Sequence, residues 1–446
     1  MERAALSLAE ITERAERLVR VSPADSTIVT WLEGRRCSAL ESSRSRRADE
    51  APFRTVVVRV REGRRTGLGR AEAGTRGELD ATLRQALAVA RAATISSDWV
   101  WPPESGAPAM NGALCDPEIA TLTSAAMQSR LAGIADKRTT LRAAWSESRV
   151  AVAASGRPTR SASATEIALE ARTGRRPGSG FAAGASRRLE GIPWAALLER
   201  ARALEAGEVS EELPPAGAPA VLSPETAAVL VESLARELFS GRRFLAGEGP
   251  LADPTERRHL PDWFHLDDDP LDPDAIPFPF DLDGVLTHRR ALVKEGELAG
   301  PALDLELASR CGRTSTAQGL ASDDAFPCHP QLGAGEHAES ELLARAAGGI
   351  RIGSVEGFRC FTGPGLPFTA TARSVRRIGE GGVLGPALPP LSWRGRLLDL
   401  WTKVEGLGRE RAVWEPQALV TGFGATVAPA VLLSDAGELA ASPNRF

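Results

Sequence analysis

The sequence predicts an α+β protein in two parts. An N-terminal antiparallel sheet with helices on one face precedes a C-terminal, mostly antiparallel, barrel-like β unit that includes one apolar helix. Three observations carry this prediction. The first hundred residues read helix, four strands, helix, and helices on one face of an antiparallel sheet are the economical packing for that order. Short apolar runs separated by Gly and Pro fill much of the second half, as in curved or barrel-like antiparallel sheet. Between the halves, residues 208–219 are acidic and Pro-rich, the composition of a linker, which sets the expected units at 1–212 and 213–446.

Ser7 and Glu10 form a capping box ahead of Leu8, Ile11, Ala15, Leu18 and Val19, which share one helical face. Residues 27–32 and 36–40 read as a hairpin turning at Glu33-Gly34. Residues 55–61 alternate, with Val56, Val58 and Val60 on one side, and Glu62-Gly63 turns them into 65–70. Thr75 and Glu78 cap a helix that buries Leu79, Leu83, Leu87 and Ala90. The basic run 42–47 reads as a solvated loop, and 98–104, with Trp99 and Trp101, as an irregular connection. Asp116-Pro117-Glu118 starts a helix continued by Leu122, Met127, Leu131 and Ile134. Strand-like pieces follow at 139–146, 149–154, 164–172 and 180–185, with Gly and Pro marking turns between them. Pro193 opens a helix with Trp194, Leu197, Leu198, Ala201 and Leu204 inward.

In the second half, residues 219–222 read as a buried strand running into a helix over 224–239. Ser223 is its N-cap and Pro224 suits the first helical position, where a missing N–H costs nothing. Ala227, Leu230, Val231, Leu234 and Leu238 form the core face, while Glu232 and Arg236 lie off it, spaced for a surface ion pair. Helical periodicity returns at 336–347 and 393–406, and apolar runs occur at 292–294, 349–354, 368–378 and 417–433. No internal repeat is evident.

Composition excludes several function classes. The 446 residues are 43% hydrophobic, enough for a sizeable core, and the net charge of −4 supplies no basic field for a phosphate backbone, which argues against nucleic acid. Cys37, Cys115, Cys311, Cys328 and Cys360 are scattered and lack CxxC spacing, which fits a reducing, cytoplasmic setting. The N-terminus has no signal-peptide core, and no apolar run approaches the roughly 20 residues of a membrane span. Abundant Arg beside only Lys137, Lys294 and Lys403, with no Tyr, reads as coding bias.

An ordered set of short segments carries a family resemblance. It comprises Leu260-Pro261-Asp262-Trp263 with Asp267-Asp268-Asp269-Pro270, then Pro279-Phe280-Asp281-Leu282-Asp283-Gly284, then Arg289-Arg290 with residues 292–298. Ala308 and residues 312–317 follow, then Gly348-Gly349-Ile350, Thr362-Gly363 and residues 401–404. The run from Arg59 to Gly67 fits more loosely. In that order and spacing the chain resembles the TldD/PmbA family, and its TldE (PmbA) branch more than its TldD branch. Two departures stand out: the usual Gly after Ser315-Thr316 is Ala317, and the Gly-rich segment beyond it reads Gln318-Gly319-Leu320.

The resemblance implies a degenerate metal site. TldD-type subunits are zinc peptidases whose helix carries H-E-x-x-x-H, with a further ligand from the C-terminal unit. In register, Val231, Glu232 and Arg236 stand at the His, Glu and His positions. Val has no lone pair and Arg is a fixed cation, so neither ligates zinc. Glu232 alone has no metal-bound water to activate. The resemblance therefore implies no catalytic residues and no metal in this chain, with zinc confined to a TldD-like partner. It implies a dimer, hetero- or homo-, acting on unfolded peptide in proteolysis or maturation. Peptide capture by strand addition fits such a role, since backbone groups are the same whatever the side chains.

Other constellations are weaker. His259 and His265 with Asp267–Asp269 have metal-compatible donors, but Asp-Asp-Asp-Pro is also a turn. Asp281-Leu282-Asp283-Gly284 fails the EF-hand pattern, since its Gly comes too early and Leu292 holds the twelfth position. Cys328-His329 are candidate nucleophile and base, although adjacent residues seldom face each other. The remaining histidines, His288 and His337, have no His partner one turn away. Gly363-Pro364-Gly365 and Gly422-Phe423-Gly424 lack the strand-to-helix setting of a phosphate loop. Two alternatives stand beside the inactive subunit. One is a hydrolase with a relocated site using Glu232, His265, Cys311 or Cys328; the other is a homodimeric peptide-binding scaffold.

Overall fold

Where a hairpin is expected at Glu33-Gly34, the chain runs straight on. The computed structural model describes residues 5–72, 75–94, 98–102, 114–174, 177–253, 260–414 and 424–442. Its first half runs α1 (Leu8–Val21), β1 (Ser26–Ser42), β2 (Arg46–Glu62), β3 (Arg65–Ala71), α2 (Arg76–Ala92), α3 (Pro117–Thr121), α4 (Ser124–Ile134), β4 (Thr139–Ala154), β5 (Arg160–Thr173), β6 (Gly180–Ser186) and α5 (Trp194–Ala203). The strands form one antiparallel sheet in the order β3-β2-β1-β4-β5-β6. Gly34 lies in mid-strand because a Cβ there would sit 2.0 Å from the Glu147 carbonyl oxygen on β4. A strand glycine marks close backbone approach as readily as a turn. The two strands expected at 139–146 and 149–154 are likewise one, β4. The basic run is only partly loop: the turn is 42–45, while Arg46 and Arg47 begin β2 and pair with Glu41 (2.8 Å) and Asp49 (2.6 Å).

The two faces of this sheet have different neighbours. Odd-numbered residues of β1 and β4, among them Val29, Trp31, Cys37, Leu141 and Trp145, pack beneath the five helices. Even-numbered Ile28, Leu32, Val150 and Val152 face the other way and meet Phe278, Phe280, Leu282 and Leu305 from the second half. Strand alternation thus gives helices on one face, as predicted, and docks the second half on the other.

The second half runs β7 (Ala220–Leu222), α6 (Pro224–Leu238), α7 (Gly241–Leu245), β8 (Leu266–Asp268), β9 (Arg290–Lys294), β10 (Glu297–Leu298), α8 (Leu305–Arg310), β11 (Pro330–Leu332), α9 (Glu339–Arg345), β12 (Ile350–Cys360), β13 (Pro367–Ile378), β14 (Leu384–Ala387), β15 (Leu391–Arg396), α10 (Leu397–Trp401), β16 (Val404–Trp414), β17 (Thr426–Leu433) and β18 (Glu438–Ala441). Its 12-stranded sheet is mostly antiparallel, but β7–β12 and β11–β17 are parallel pairs. The barrel expectation is corrected here: among the described residues the strand path is open, from β10 to β18. The sheet curls around α6, whose residues share one core with β7, β8, β9, β12, β13, β15 and β16. The helix fills the apolar interior that strand side chains would fill in a closed barrel. The helix expected at 393–406 is also corrected: β15, the short α10 and β16 divide it. Residues 417–423 of the expected run 417–433 lie outside the described residues, and its remainder contains β17.

No described helix is long and apolar enough to cross a membrane.

Candidate functional site

The polar edge of α6 opens into a cavity of ≈ 620 Å³ between the two sheets. Ser223 caps the helix, its Oγ accepting from the Thr226 N–H at 3.1 Å and donating to the Gly353 carbonyl at 2.9 Å. That anchors the first turn to β12 and fixes the helix's rotation. Val231 is fully buried in the core, half-buried Glu232 lines the cavity, and Arg236 is exposed at its margin.

Glu232 and Arg236 do not form the surface ion pair expected from their spacing. Among the described residues they make no direct contact; the Arg236 guanidinium instead lies 4.9 Å from the centroid of the Phe326 ring. Burial lifts the Glu232 pKa to about 7, the charge of Arg236 offsetting only part of the lost hydration.

The opposite wall comes from the face of the first sheet that carries no helices. Arg142, Glu170 and Arg172 stand on β4 and β5, and Phe181 on β6. Arg142 pairs with Glu170 at 3.9 Å. Arg172 lies over Phe181 (4.3 Å to the centroid) and reaches Glu356 of β12 at 3.9 Å, spanning the cleft. Arg373 holds the same Glu356 at 2.5 Å. Buried Glu225 accepts from the Ala183 N–H and pairs with Arg200, each at 3.1 Å, tying α6 to β6 and α5. Trp414 meets Phe181 edge-on at 6.3 Å. Sequence reasoning missed this wall. The available signal was the alternation of Glu170 and Arg172 with the apolar Leu169 and Ala171, which places both charges on one face of a strand.

A second polar cluster joins the halves. Buried Arg59 of β2 pairs with Asp283 at 2.9 Å and Asp304 at 3.6 Å. The two carboxylates raise the Arg59 pKa, while burial and Asp283 lift that of Asp304 to about 6. Burial and the neighbouring Asp283 hold Asp281 well above the usual carboxylate range. Asp281 accepts from the N–H groups of Asp283 (3.0 Å), Val285 (2.9 Å) and Gly319 (2.8 Å), so it staples its own loop to the 318–320 segment. Ala317, where the resemblance leads one to expect Gly, keeps a left-handed backbone with φ 60. A Cβ at Gly319 would lie 2.6 Å from Asp283 Cγ, so that glycine is sterically required.

The remaining candidates separate. His259 lies outside the described residues. His265 is exposed and its Nδ1 accepts weakly from the Glu295 N–H at 3.5 Å. Arg289 holds Asp267 (2.6 Å) and approaches Asp269 (3.7 Å), while Asp268 is buried against Gln318 and the His329 N–H. Cys328 donates to the Phe326 carbonyl at 3.6 Å, whereas His329 Nε2 lies 3.0 Å from the Ile276 carbonyl, so thiol and imidazole serve different partners. Burial and nearby carboxylates, Glu232 among them, push the Cys328 thiol well up, and burial takes His329 down to about 3. A protonated thiol beside a weakly basic ring is the reverse of an activated pair. Cys311 is half-buried and burial raises its thiol pKa as well. Among the described residues no group of three or more His, Cys, Asp or Glu side chains is arranged to hold a metal ion.

Comparisons with known proteins fit this geometry. The sequence model described as PmbA/TldA metallopeptidase C-terminal domain matches residues 215–437. No curated protein sequence matches the chain. Among solved structures, TldE from Thermococcus kodakarensis superposes with a TM-score of 0.78 at 18% identity, covering 98% of this chain and 100% of that one. A putative modulator of a DNA gyrase from Thermotoga maritima gives 0.77 at 18% identity, over 96% and 99% of the two chains. A putative modulator of DNA gyrase from Bacteroides thetaiotaomicron gives 0.73 at 16%, over 97% and 99%. At these identities the structures establish a common fold, shared nearly end to end. With the family model matched across half of the sequence, the chain belongs to the PmbA/TldD family.

Proposed function

We propose that this chain is a TldE-like, non-catalytic subunit that pairs with a TldD-like zinc metallopeptidase and completes a cleft for unfolded peptide. The observation that carries the reading is the state of α6. Val231, Glu232 and Arg236 stand where the resemblance puts the metal motif. The aliphatic Val231 is fully buried, and the guanidinium of Arg236 is engaged with Phe326. These residues do not fit a zinc ion, which needs lone-pair donors, so no step of the chemistry runs through a metal in this chain. The cleft beside them nevertheless keeps ≈ 620 Å³ of space, a size suited to a short stretch of extended peptide.

The relocated-hydrolase alternative draws no support from Cys328, whose thiol is held protonated and whose neighbour His329 faces away. We also propose that residues 1–212 and 213–446 are separate units, since each sheet lies wholly on its own side of the linker. The five free cysteines support a reducing, cytoplasmic setting.

The test is co-expression with a chain carrying H-E-x-x-x-H. A stable complex is expected, with peptide cleavage that EDTA abolishes and that neither metal nor activity of the isolated chain accounts for. Cleavage by the isolated chain, lost on EDTA treatment, would overturn the proposal.

A further inference from the structure

Five carboxylates and three guanidinium groups line the cleft: Glu170, Glu225, Glu232, Glu237 and Glu356 against Arg142, Arg172 and Arg236. Four of the five acids have cationic partners. Glu170 has Arg142, Glu225 has Arg200, Glu237 has Arg243, and Glu356 has Arg373 and Arg172. Glu232 is the exception, with no ion-pair partner among the described residues; the nearest cation on its own helix is turned onto Phe326. Glu232 is therefore the one acid lining the cleft that no cation holds at ion-pair distance among the described residues, although the charge of Arg236, one turn along, still acts on it. The Glu232 side chain is half-buried, where a charge interacts more strongly than in bulk water. Phe358 and Trp414 line the same space, apolar surface that suits the methylene stem of a long cationic side chain, while Phe181 beside them already carries Arg172.

We propose that the cleft selects peptides bearing a primary ammonium group, which pairs with Glu232. The ammonium can come from a lysine side chain or from a free peptide N-terminus, since the recognising chemistry is the same. This rests on reading the cleft as a peptide site. Burial lifts the Glu232 pKa to about 7, and an ammonium seated against it would favour its charged form.

The test measures binding of three short unfolded peptides of otherwise identical sequence to the full chain by calorimetry. One is N-acetylated with a central lysine, one has a free N-terminus and norleucine in place of lysine, and one is acetylated with norleucine. One or both charged peptides should bind about tenfold or more tighter than the neutral one, the usual worth of a charge-assisted contact. The two charged arms identify which ammonium is used. Glu232→Gln should collapse the ratio toward one, and Glu232→Asp should restore part of it. Equal affinity of all three peptides, or a preference that survives Glu232→Gln, overturns the selection while leaving the peptide cleft intact. Failure of every peptide to bind overturns the cleft reading and the selection with it.

Discussion

Glu232 shows how far a single residue was legible. Its place off the core face of the 224–239 helix is plain from spacing, but its exposure is not, because the wall that covers it comes from β4, β5 and β6. The sequence therefore suggests a solvated pair with Arg236, and the structure gives a half-buried acid with a pKa of about 7. Between its ordinary value of 4.5 and about 7, folded protein holds a proton on Glu232 that unfolded protein has released. Stability contributed by that proton falls as pH rises through the window. Glu232→Gln cannot ionise, so above pH 7 it should be more stable than the parent. After allowance for water in the cleft, the gain should be roughly 1–2 kcal/mol, and it should vanish below the ordinary carboxylate range. Chemical denaturation at two pH values checks this; a gain that grows on acidification contradicts it.

Arg59 is the converse case. Its number appears in a loosely matching motif, yet nothing in that run reveals that Asp283 and Asp304 lie against it from the other half of the chain. Arg59→Met leaves two buried carboxyls without their cation and should cost about 3–5 kcal/mol at neutral pH. The loss should shrink as pH falls, because protonation then relieves the stranded charge. Urea melts of Arg59→Met against the triple variant R59M/D283N/D304N separate charge from packing: the triple variant should recover much of the loss.

At the scale of elements, capped and amphipathic helices were the most readable. Ser7, Thr75 and Ser223 all cap where expected, since a cap and a 3.6-residue stripe are both local signals. Strand limits were not readable wherever glycine interrupted them. Gly34 looks like a turn residue in the sequence but serves close approach inside β1, and the same steric logic governs Gly180 at the start of β6. A Cβ on Gly180 would fall 1.7 Å from the Ala201 carbonyl oxygen, so α5 is pressed directly onto the strand. Gly180→Ala should push the helix off the sheet and cost about 1–3 kcal/mol. Hydrogen exchange localised to 194–203 and 180–186 would register the loosening. The open, partly parallel second sheet was also hidden, because pairings such as β7 with β12 join segments more than a hundred residues apart, and only tertiary contact decides them.

At the scale of the whole molecule, the family was legible as an ordered series of weak motifs, while the cleft was not, since its two walls come from the two different halves of the chain. The proposed partnership makes its prediction here. Light scattering of the co-expressed pair should give the mass of a complex containing both chains. Mutations that block the cleft, such as Ser233→Trp, should lower peptide turnover by the pair without separating it. Dissociation of the pair by that substitution would instead move the contact surface to the cleft.

The helix-free face of the first sheet has one more consequence. It is covered by Phe278, Phe280, Leu282 and Leu305, which arrive only after the linker has been crossed. During synthesis this greasy slab waits, exposed, until its lid emerges from the ribosome. Severed at the linker, the two fragments should each aggregate when produced alone and should rescue one another when produced together, behaving as a split protein.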